Sequence, residues 1–304
     1  MRTGLQTTLA REAVLEGVGL HSGAPCKVRL RPARADDGIV FDLAALSSGP
    51  SRGRIRACID SVIDTRLCTR LGNDAGGSIG TVEHLLAAAT VIGVDNLLVE
   101  IDGDELPILD GSASPYVDAL EEAGVASCQA PHRRLRILER VELVDGARSI
   151  IAEPYDGAVI EVSIDYADPA IGVQTVVLDL SDGESLKRLK RARTFCRLAD
   201  VEAMRKAGLS RGGSLDNAIV VDGDKILNQS GLRDPQEFAL HKALDLIGDL
   251  RLAGAPIEGR IVAVRPGHDL NTRFVKRLLE RGGACELVPA RVSGSGALGE
   301  PAGE

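Results

Sequence analysis

The chain has 304 residues, of which 44% are hydrophobic and 26% are charged, so it can bury two ordinary domain cores and is neither disordered nor fibrous. A net charge of -8 argues against broad contact with a phosphate backbone, and we expect no nucleic-acid partner. The longest apolar stretch, residues 85–94, is too short to cross a bilayer, and the N-terminus lacks the apolar segment of a secretory signal. We therefore expect a cytoplasmic protein with no transmembrane segment, whose 6 scattered cysteines are reduced thiols.

The first half of the chain predicts strands, then a helix, a strand and a second helix. Thr81 is the predicted N-cap of the first helix, and glycines at positions 93 and 124 end the two helices. We place these elements at 28–30 and 39–41 (strands), 81–93 (helix), 96–101 (strand) and 114–124 (helix).

A polar segment at residues 128–134 suits a connection between domains, because Pro131 stops helix propagation. We place an N-terminal domain at residues 1–127 and a C-terminal domain at 135–292, followed by a loose tail at 293–304. Short alternating runs predict a second sheet, with strands at 135–138, 141–144, 149–152 and 159–164.

The second half then repeats the order of the first, which predicts a structural duplication. Asp234-Pro235 predicts the N-cap and first position of a long helix that runs to about Leu252, before Gly254. A strand at 259–264 and a last helix at 270–281 follow.

His241 and Asp245 form the first candidate chemical motif. They are four residues apart, so on a helix both side chains project from one face and could hold a metal ion together. Asp249 extends the same row by one turn. Taken alone, a His and an Asp at this spacing are more often a weak surface ion pair, and both interpretations stay open here.

Glu83 and His84 form the second motif, adjacent to each other at a predicted helix start in an apolar stretch. One could bind a metal and the other could hold its water. His84, His241 and Asp245 supply the three ligands that a catalytic zinc needs beside one open position. By themselves, Glu83 and His84 could instead cap the helix and fill an interface.

The remaining histidines are weaker candidates. His268 directly follows a strand, where a scaffold presents side chains to a cleft, although a lone loop histidine is usually only solvated. We expect His132, beside two arginines in the predicted linker, to be solvated and assign it no role. His21 lies in a glycine-rich turn that could approach a ligand or merely form a hairpin, so its role stays open.

Several independent segments occur in an order that makes chance agreement very improbable. They are GVGLHSG from 17, DTRLCT from 64, GTVEH from 80, DNLLVE from 95, LPILDGSASP from 106, RARTF from 191, GGSLDNAIVVD from 212 and HKALDLIGDL from 241. From Gly17 to about His268 the chain thereby resembles the zinc-dependent UDP-3-O-acyl-N-acetylglucosamine deacetylases of lipid A synthesis.

This resemblance implies an α+β fold of two similar domains, each a sheet with two helices on one face, with the helix layers packed together around the active site. It implies hydrolysis of the N-acetyl group of UDP-3-O-acyl-N-acetylglucosamine to acetate, with one zinc ion as cofactor and iron as the alternative metal in the cell. It assigns the zinc ligands to His84, His241 and Asp245, the general base to Glu83, the second catalytic histidine to His268, its acidic partner to Asp249, the oxyanion residue to Thr194 and a substrate contact to Lys242.

The segment 193–221 matches the family's insert for the fatty-acyl chain. We expect substrate contacts from Thr194, Lys242, Leu20, Phe195 and Gly213. The chain departs from the family pattern at Arg197, in place of an apolar residue, and at Asp269, in place of a small one. The first departure leaves the acyl-chain length preference open, and neither touches the metal set. We expect a monomer that works close to the inner membrane, although no amphipathic anchor is visible.

Three alternatives remain open: a zinc amidase acting on another acylated amino sugar, a catalytically silent ligand-binding protein, and a structural fold in which the same residues are ion pairs. The joint presence of Glu83, His84, His241, Asp245 and His268 speaks against the silent protein, which has no chemical need for all five. Stoichiometric metal would exclude the purely structural alternative.

Overall fold

The structure is a computed structural model that describes residues 4–46 and 52–289. The predicted tail at 293–304 lies outside the described residues. In the first half, the elements are β1 (Leu5–Leu9), β2 (Ala13–Val18), β3 (Pro25–Pro32), β4 (Ile39–Asp42), β5 (Arg54–Arg56), β6 (Val62–Asp64), β7 (Arg70–Gly72), β8 (Ser78–Ile79), α1 (Glu83–Ile92), β9 (Leu97–Ile101), α2 (Ser114–Ala123) and β10 (Val125–Pro131).

The second half contains the same core elements and an additional insert. Its elements are β11 (Arg133–Ile137), β12 (Val141–Asp145), β13 (Arg148–Glu153), β14 (Ala158–Asp165), β15 (Val173–Asp179), α3 (Gly183–Lys190), β16 (Phe195–Arg197), α4 (Leu198–Lys206), β17 (Ile219–Asp222), β18 (Lys225–Ile226), α5 (Glu237–Leu250), β19 (Ile257–Val264), α6 (His268–Glu280) and β20 (Cys285–Pro289).

Each half has one main sheet. The first has the order β2-β3-β9-β4-β5, and β4 and β9 are its parallel pair. The second is seven-stranded, with the path β12-β13-β19-β11-β20 and a branch in which β14 pairs with both β19 and β15. Smaller sheets join β1 to β10, β6 to β7 and β8, and β16 to β17 and β18.

The two halves meet through their helices. Helix α1 contacts α2 and α5, and α5 contacts α6, which brings the long helices of the two halves together. Apolar side chains fill this contact: Leu85 and Leu86 on α1, and Leu240 and Leu244 on α5, are fully buried. The predicted α+β class, with paired helices on each sheet and helix layers in contact, is confirmed.

Helix endings follow the glycine signals more closely than helix beginnings follow the predicted caps. Gly93 adopts the left-handed conformation and donates its N–H to Ala89, closing α1 as predicted. The prediction of Thr81 as N-cap is wrong: α1 begins at Glu83, and Thr81 has a φ of 57°. Asp234 is not the cap of α5 either, since that helix begins at Glu237. Asp234 Oδ1 accepts the Gln236 N–H at 2.8 Å just before the helix, and the same carboxylate accepts two hydrogen bonds from Arg188.

Residues 128–134, predicted as a polar connection, are extended and hydrogen-bonded. β10 pairs with β1, and β11 begins at Arg133 in the second main sheet. The division into domains at this point stays a prediction. Among the described residues, no helix combines the length and apolar character needed to cross a membrane.

The expectation of a solvated His132 is wrong. Its side chain is buried between β10 and β11, and its Nδ1 lies 2.9 Å from Asp95 Oδ2. Asp95 also accepts a hydrogen bond from the Thr7 N–H at 2.9 Å. A polar flanking sequence suggested exposure, but the pairing of β10 with β1 carries His132 into the junction between the halves.

Candidate active site

His84, His241 and Asp245 converge where α1 crosses α5. Asp245 Oδ1 lies 3.3 Å from His241 Nε2 and 3.8 Å from His84 Nε2. One ligand atom from each residue lies within 4.8 Å of the others, and all three residues are buried. Donor atoms about 2.1 Å from a tetrahedral ion are roughly 3.4 Å from one another, so this spacing fits a single divalent metal ion.

The protonation states of these three residues also suit a metal. Burial lowers the pKa of His84 to about 3, helped by the charge of His241, and burial lowers the pKa of His241 as well. Burial alone would raise the pKa of Asp245, but His241 and Lys242 hold it well below its usual range. Two neutral imidazoles and an ionised carboxylate are the forms that bind a metal.

A backbone carbonyl orients one of the imidazoles. His241 Nδ1 lies 3.0 Å from the Ala192 carbonyl oxygen, which accepts the ring N–H and leaves the lone pair of Nε2 facing Asp245 and His84. Such contacts to the second nitrogen commonly fix the tautomer of metal-binding histidines. His84 Nδ1 is buried and has no hydrogen-bond partner in the part of the chain that the structure describes.

Glu83 lies beside the three candidate ligands as the first residue of α1. Burial raises the pKa of its carboxyl to about 7; the charge of His268 opposes this, and Asp249 and Asp245 reinforce it. The Glu83 carboxylate accepts a hydrogen bond from the Thr69 N–H at 3.1 Å. A carboxyl group with a pKa near neutrality can both accept and release a proton, as a general base must.

His268 is the first residue of α6 rather than part of a loop. Its Nδ1 lies 2.9 Å from Asp249 Oδ2, and its Nε2 lies 3.8 Å from Glu83 Oε1. Burial alone would lower the pKa of His268, but the nearby carboxylates of Asp249 and Glu83 raise it to about 9. The imidazolium is therefore the favoured form near neutral pH.

Two residues that the sequence did not single out hold Asp249 in place. Thr69 Oγ1 donates to Asp249 Oδ1 at 2.5 Å, and Asn271 Nδ2 donates to Asp249 Oδ2 at 2.8 Å. Both Thr69 and Asn271 are fully buried. The sequence contains only indirect signals that these two residues belong to the site. Thr69 is the last residue of the segment DTRLCT, and Asn271 lies three residues after His268 on one helix face.

A cavity of about 500 Å³ opens over this cluster. Its lining includes most of the predicted site residues: Leu20, Glu83, His84, Thr194, Phe195, His241, Lys242, Asp245 and His268. Asp249 is fully buried behind His268 and does not line the cavity. Lys242 Nζ lies 2.8 Å from Asp245 Oδ2 and 5.8 Å from the ring centre of Phe195, so this lysine joins the metal ligands to the cavity wall.

A second cavity of about 300 Å³ adjoins the first and shares Leu20, Thr194 and Phe195 with it. Gly213 lies in this second cavity. The segment 193–221 supplies most of its apolar wall: Leu198, Val201, Met204, Leu215, Ala218 and Val220. Arg197 does not block the apolar space, since its guanidinium pairs with Asp168 at 2.7 Å and lines only the larger cavity.

Glu105 supports the turn that carries His21. Its carboxylate accepts the N–H groups of His21 and Ser22, each at 2.8 Å, and the hydroxyl of Thr81 at 2.9 Å. His21 is buried and lines both cavities, and burial lowers its pKa. Neither of its ring nitrogens has a hydrogen-bond partner among residues 4–46 and 52–289.

A buried His-His-Asp group beside a carboxyl of near-neutral pKa and a cationic histidine defines a metal-dependent hydrolase. The family model described as UDP-3-O-acyl N-acetylglycosamine deacetylase matches residues 6–280, and the chain belongs to this family.

Similar proteins carry the corresponding name. UDP-3-O-acyl-N-acetylglucosamine deacetylase of Phenylobacterium zucineum is 46% identical over 276 residues, covering 91% of this chain and 94% of the relative. The protein of that name from Myxococcus xanthus is 46% identical over 286 residues, covering 94% and 90%. A Brucella melitensis relative is 43% identical over 286 residues, covering 94% and 99%.

Proposed function

We propose that this chain hydrolyses the N-acetyl group of UDP-3-O-acyl-N-acetylglucosamine to give the UDP-linked acylated glucosamine and acetate, a step of lipid A biosynthesis. The observation that carries the proposal is the convergence of His84, His241 and Asp245 within 4.8 Å, beside Glu83 and His268 in one cavity. Family membership and the names of the relatives support the same activity.

His84, His241 and Asp245 would hold the metal, which we propose is zinc. The two nitrogen donors and one oxygen donor match the set that catalytic zinc prefers, and their spacing suits it. When bound, zinc supplies Lewis acidity towards a carbonyl group and lowers the pKa of a water molecule from ~15.7 towards ~7. Iron is the alternative in the cell, where metal supply can override intrinsic affinity.

Glu83 would take a proton from the attacking water molecule while the water oxygen bonds to the acetyl carbonyl carbon. Its raised pKa, about 7, allows it to accept that proton and release it again. Thr194, which lines the same cavity, would donate its hydroxyl to the carbonyl oxygen as negative charge develops there.

His268 would complete the reaction when the carbon–nitrogen bond breaks. Its imidazolium, paired with Asp249 at 2.9 Å, can stabilise the negative oxygen and then give its proton to the departing amine of the sugar. The products are acetate and the free amine.

The two adjoining cavities suit the two ends of the substrate. Lys242, a partly buried cation at the wall of the larger cavity, would contact the polar sugar portion. Leu20, Phe195 and Gly213, in the apolar cavity walled by segment 193–221, would contact the fatty-acyl chain. We propose that the protein acts as a monomer in the cytoplasm. Because its substrate carries a lipid tail, we propose that it works near the inner membrane surface.

Two substitutions test the site. His268→Ala should reduce turnover at least about 100-fold while metal content stays stoichiometric, because it removes a proton donor without removing a ligand. Asp245→Ala should lose both metal and turnover. Near-normal turnover of His268→Ala would refute its catalytic role, and metal-free wild-type protein would refute the metal site. Asp222→Ala, an exposed acid outside the cavities, is the control.

A substrate panel separates the proposal from a zinc amidase for another amino sugar. The UDP-linked acylated substrate is compared with simple N-acetyl sugars at equal concentration. A preference for the simple sugars would reject the proposed substrate while leaving the metal chemistry intact.

A further inference from the structure

A separate pocket of about 270 Å³ lies at the junction of the two halves, away from the metal ligands. Arginines from both halves line it: Arg56 on β5, Arg133 on β11, and Arg251 just after α5. Asp245, the nearest metal ligand along α5, precedes Arg251 by six positions, roughly 9 Å at 1.5 Å per residue. No residue that lines this pocket lines the cavity over the metal ligands. This pocket therefore has no part in the proposed hydrolysis.

Arg251 is the most unusual residue of this pocket. It is only 5% exposed, and its Nε is buried without a hydrogen-bond partner in the described part of the chain. One guanidinium nitrogen donates to the Asp95 carbonyl oxygen at 3.2 Å. Burial lowers the pKa of Arg251, and the charge of Asp95 only partly opposes this. A buried cation is costly without a counter-ion in contact, and none of the described residues supplies one, so Arg251 calls for an anionic partner.

The acidic residues of the pocket already have partners. Asp95 Oδ2 lies 2.9 Å from His132 Nδ1 and accepts the Thr7 N–H. Asp36 Oδ1 accepts a hydrogen bond from Gln6 at 2.8 Å and lies 3.6 Å from Arg133.

Arg56 contributes further positive charge to the pocket. Its side chain is exposed at the pocket and donates to the carbonyl oxygen, not the carboxylate, of Asp36 at 3.2 Å. Three guanidinium groups thus face the same space as two carboxylates that are already engaged.

We propose that this pocket binds a small oxyanion of the phosphate class, with Arg251 at its base and Arg56 and Arg133 at its rim. Guanidinium groups bind phosphate through paired, charge-assisted hydrogen bonds, and burial strengthens them. The pocket volume of about 270 Å³ is many times the roughly 10–15 Å³ of such space that one water molecule needs, enough for inorganic phosphate or a phosphate monoester with some water.

The bound oxyanion would connect the two halves of the chain. It would touch β5 of the first half together with β11 and the end of α5 in the second. Arg251 follows Asp249, the partner of His268, by two residues, so the oxyanion would stabilise the end of the helix that carries the site residues. We expect it to act on stability rather than on chemistry.

Thermal unfolding of the metal-loaded protein tests this site. The unfolding midpoint is measured against inorganic phosphate, and separately against glycerol 3-phosphate, with potassium chloride keeping ionic strength constant. Binding to the folded state raises the midpoint as the logarithm of ligand concentration once the ligand exceeds its Kd. Whichever series responds at the lower concentration identifies the free ion or the monoester as the better ligand.

Arg251→Gln should weaken the phosphate response about tenfold or more in apparent Kd, because it removes charge-assisted hydrogen bonds from a buried position. Arg277→Gln, an exposed arginine on α6, is the matched control and should respond like the wild type. If Arg251→Gln does not fold, Arg56→Gln is measured instead, with the same weakening expected.

A midpoint that rises no more with either phosphate compound than with chloride would overturn the proposal. So would an undiminished response in the arginine variants, since the anion would then be binding elsewhere, for example in the metal cavity. The hydrolytic activity is not the readout, so failure of this site and failure of the proposed function are distinguishable.

Discussion

Gly248 of α5 packs directly against the backbone of Glu83, the first residue of α1. A Cβ atom at position 248 would lie 2.8 Å from the Glu83 carbonyl carbon and closer still to its oxygen. Neither backbone can yield without moving its helix, because interiors are close-packed. One helix carries Glu83 and His84 and the other carries His241 and Asp245, so this contact sets the distance between the two parts of the candidate metal site.

Gly248→Ala should therefore weaken metal binding. The added methyl group pushes the helices apart and separates His84 from Asp245, and overpacking of this kind typically costs 1–3 kcal/mol of stability. Metal retained after dialysis against a competing chelator should fall, together with the unfolding midpoint. Gly183→Ala, at the start of α3, is the control, because a Cβ atom added there would meet no described atom within 4 Å beyond its own helix and chain neighbours. Wild-type metal retention in Gly248→Ala would contradict this account of the spacing.

Thr69 links the proposed general base to the acid that supports His268. Its N–H donates to Glu83 and its hydroxyl donates to Asp249. Thr69→Val keeps the N–H but leaves Asp249 short of one donor, so we expect kcat to fall about tenfold or more, as for loss of a hydrogen bond to a charged group. Thr69→Ser keeps the hydroxyl and should restore most of the rate. Equal kcat values in the two variants would show that the hydroxyl has no such role.

The long helices could be predicted from sequence because their signals are local. The four-residue spacing of His241 and Asp245 holds within one helix, and Gly93 marks the end of another by its own conformational freedom. The resemblance to a known family then linked His84 to His241, a long-range pairing that spacing alone could not supply. The structure brings these residues together, while their catalytic roles remain predictions.

The contacts that orient the site could not be predicted, because they join residues distant in sequence. Thr69 and Asp249 are 180 positions apart, and nothing near either residue marks the pairing. Thr81 has the residue type of an N-cap, but its hydroxyl bonds to Glu105 instead of a helix N–H. His132 looked solvated in a polar sequence, but it is buried beside Asp95, which lies 37 positions earlier in the chain.

Asp249→Asn should shift the pH dependence of kcat. The carboxylates of Asp249 and Glu83 raise the pKa of His268 to about 9 despite its burial, so its proton-donating form is lost only as pH rises through that value. Removing the charge of Asp249 lowers this pKa. The alkaline fall in activity should therefore move to lower pH by about one unit or more.

A full pH–rate profile measures this shift. Asp269→Asn, which neutralises a more exposed acid adjacent to His268, should move the alkaline limb far less. If the alkaline fall in kcat of Asp249→Asn occurs at the same pH as in the wild type, the group that titrates in that pH range is not His268.

Glu105→Gln should perturb the site from outside the metal ligands. Both carboxylate oxygens of Glu105 accept hydrogen bonds, from the His21 and Ser22 N–H groups and the Thr81 hydroxyl. An amide presents an N–H₂ group to at least one of these donors, and a buried donor left unpaired costs about 1–3 kcal/mol. Thr81, with its φ of 57°, precedes Glu83 and His84 by only a few residues, so relaxation there shifts the start of α1.

We expect Glu105→Gln to lower both the unfolding midpoint and kcat while the metal ligands stay intact. Asp104→Asn, which neutralises the exposed neighbouring acid, should change neither quantity appreciably. A variant that loses stability but keeps the wild-type kcat would show that Glu105 supports the fold without positioning the start of α1.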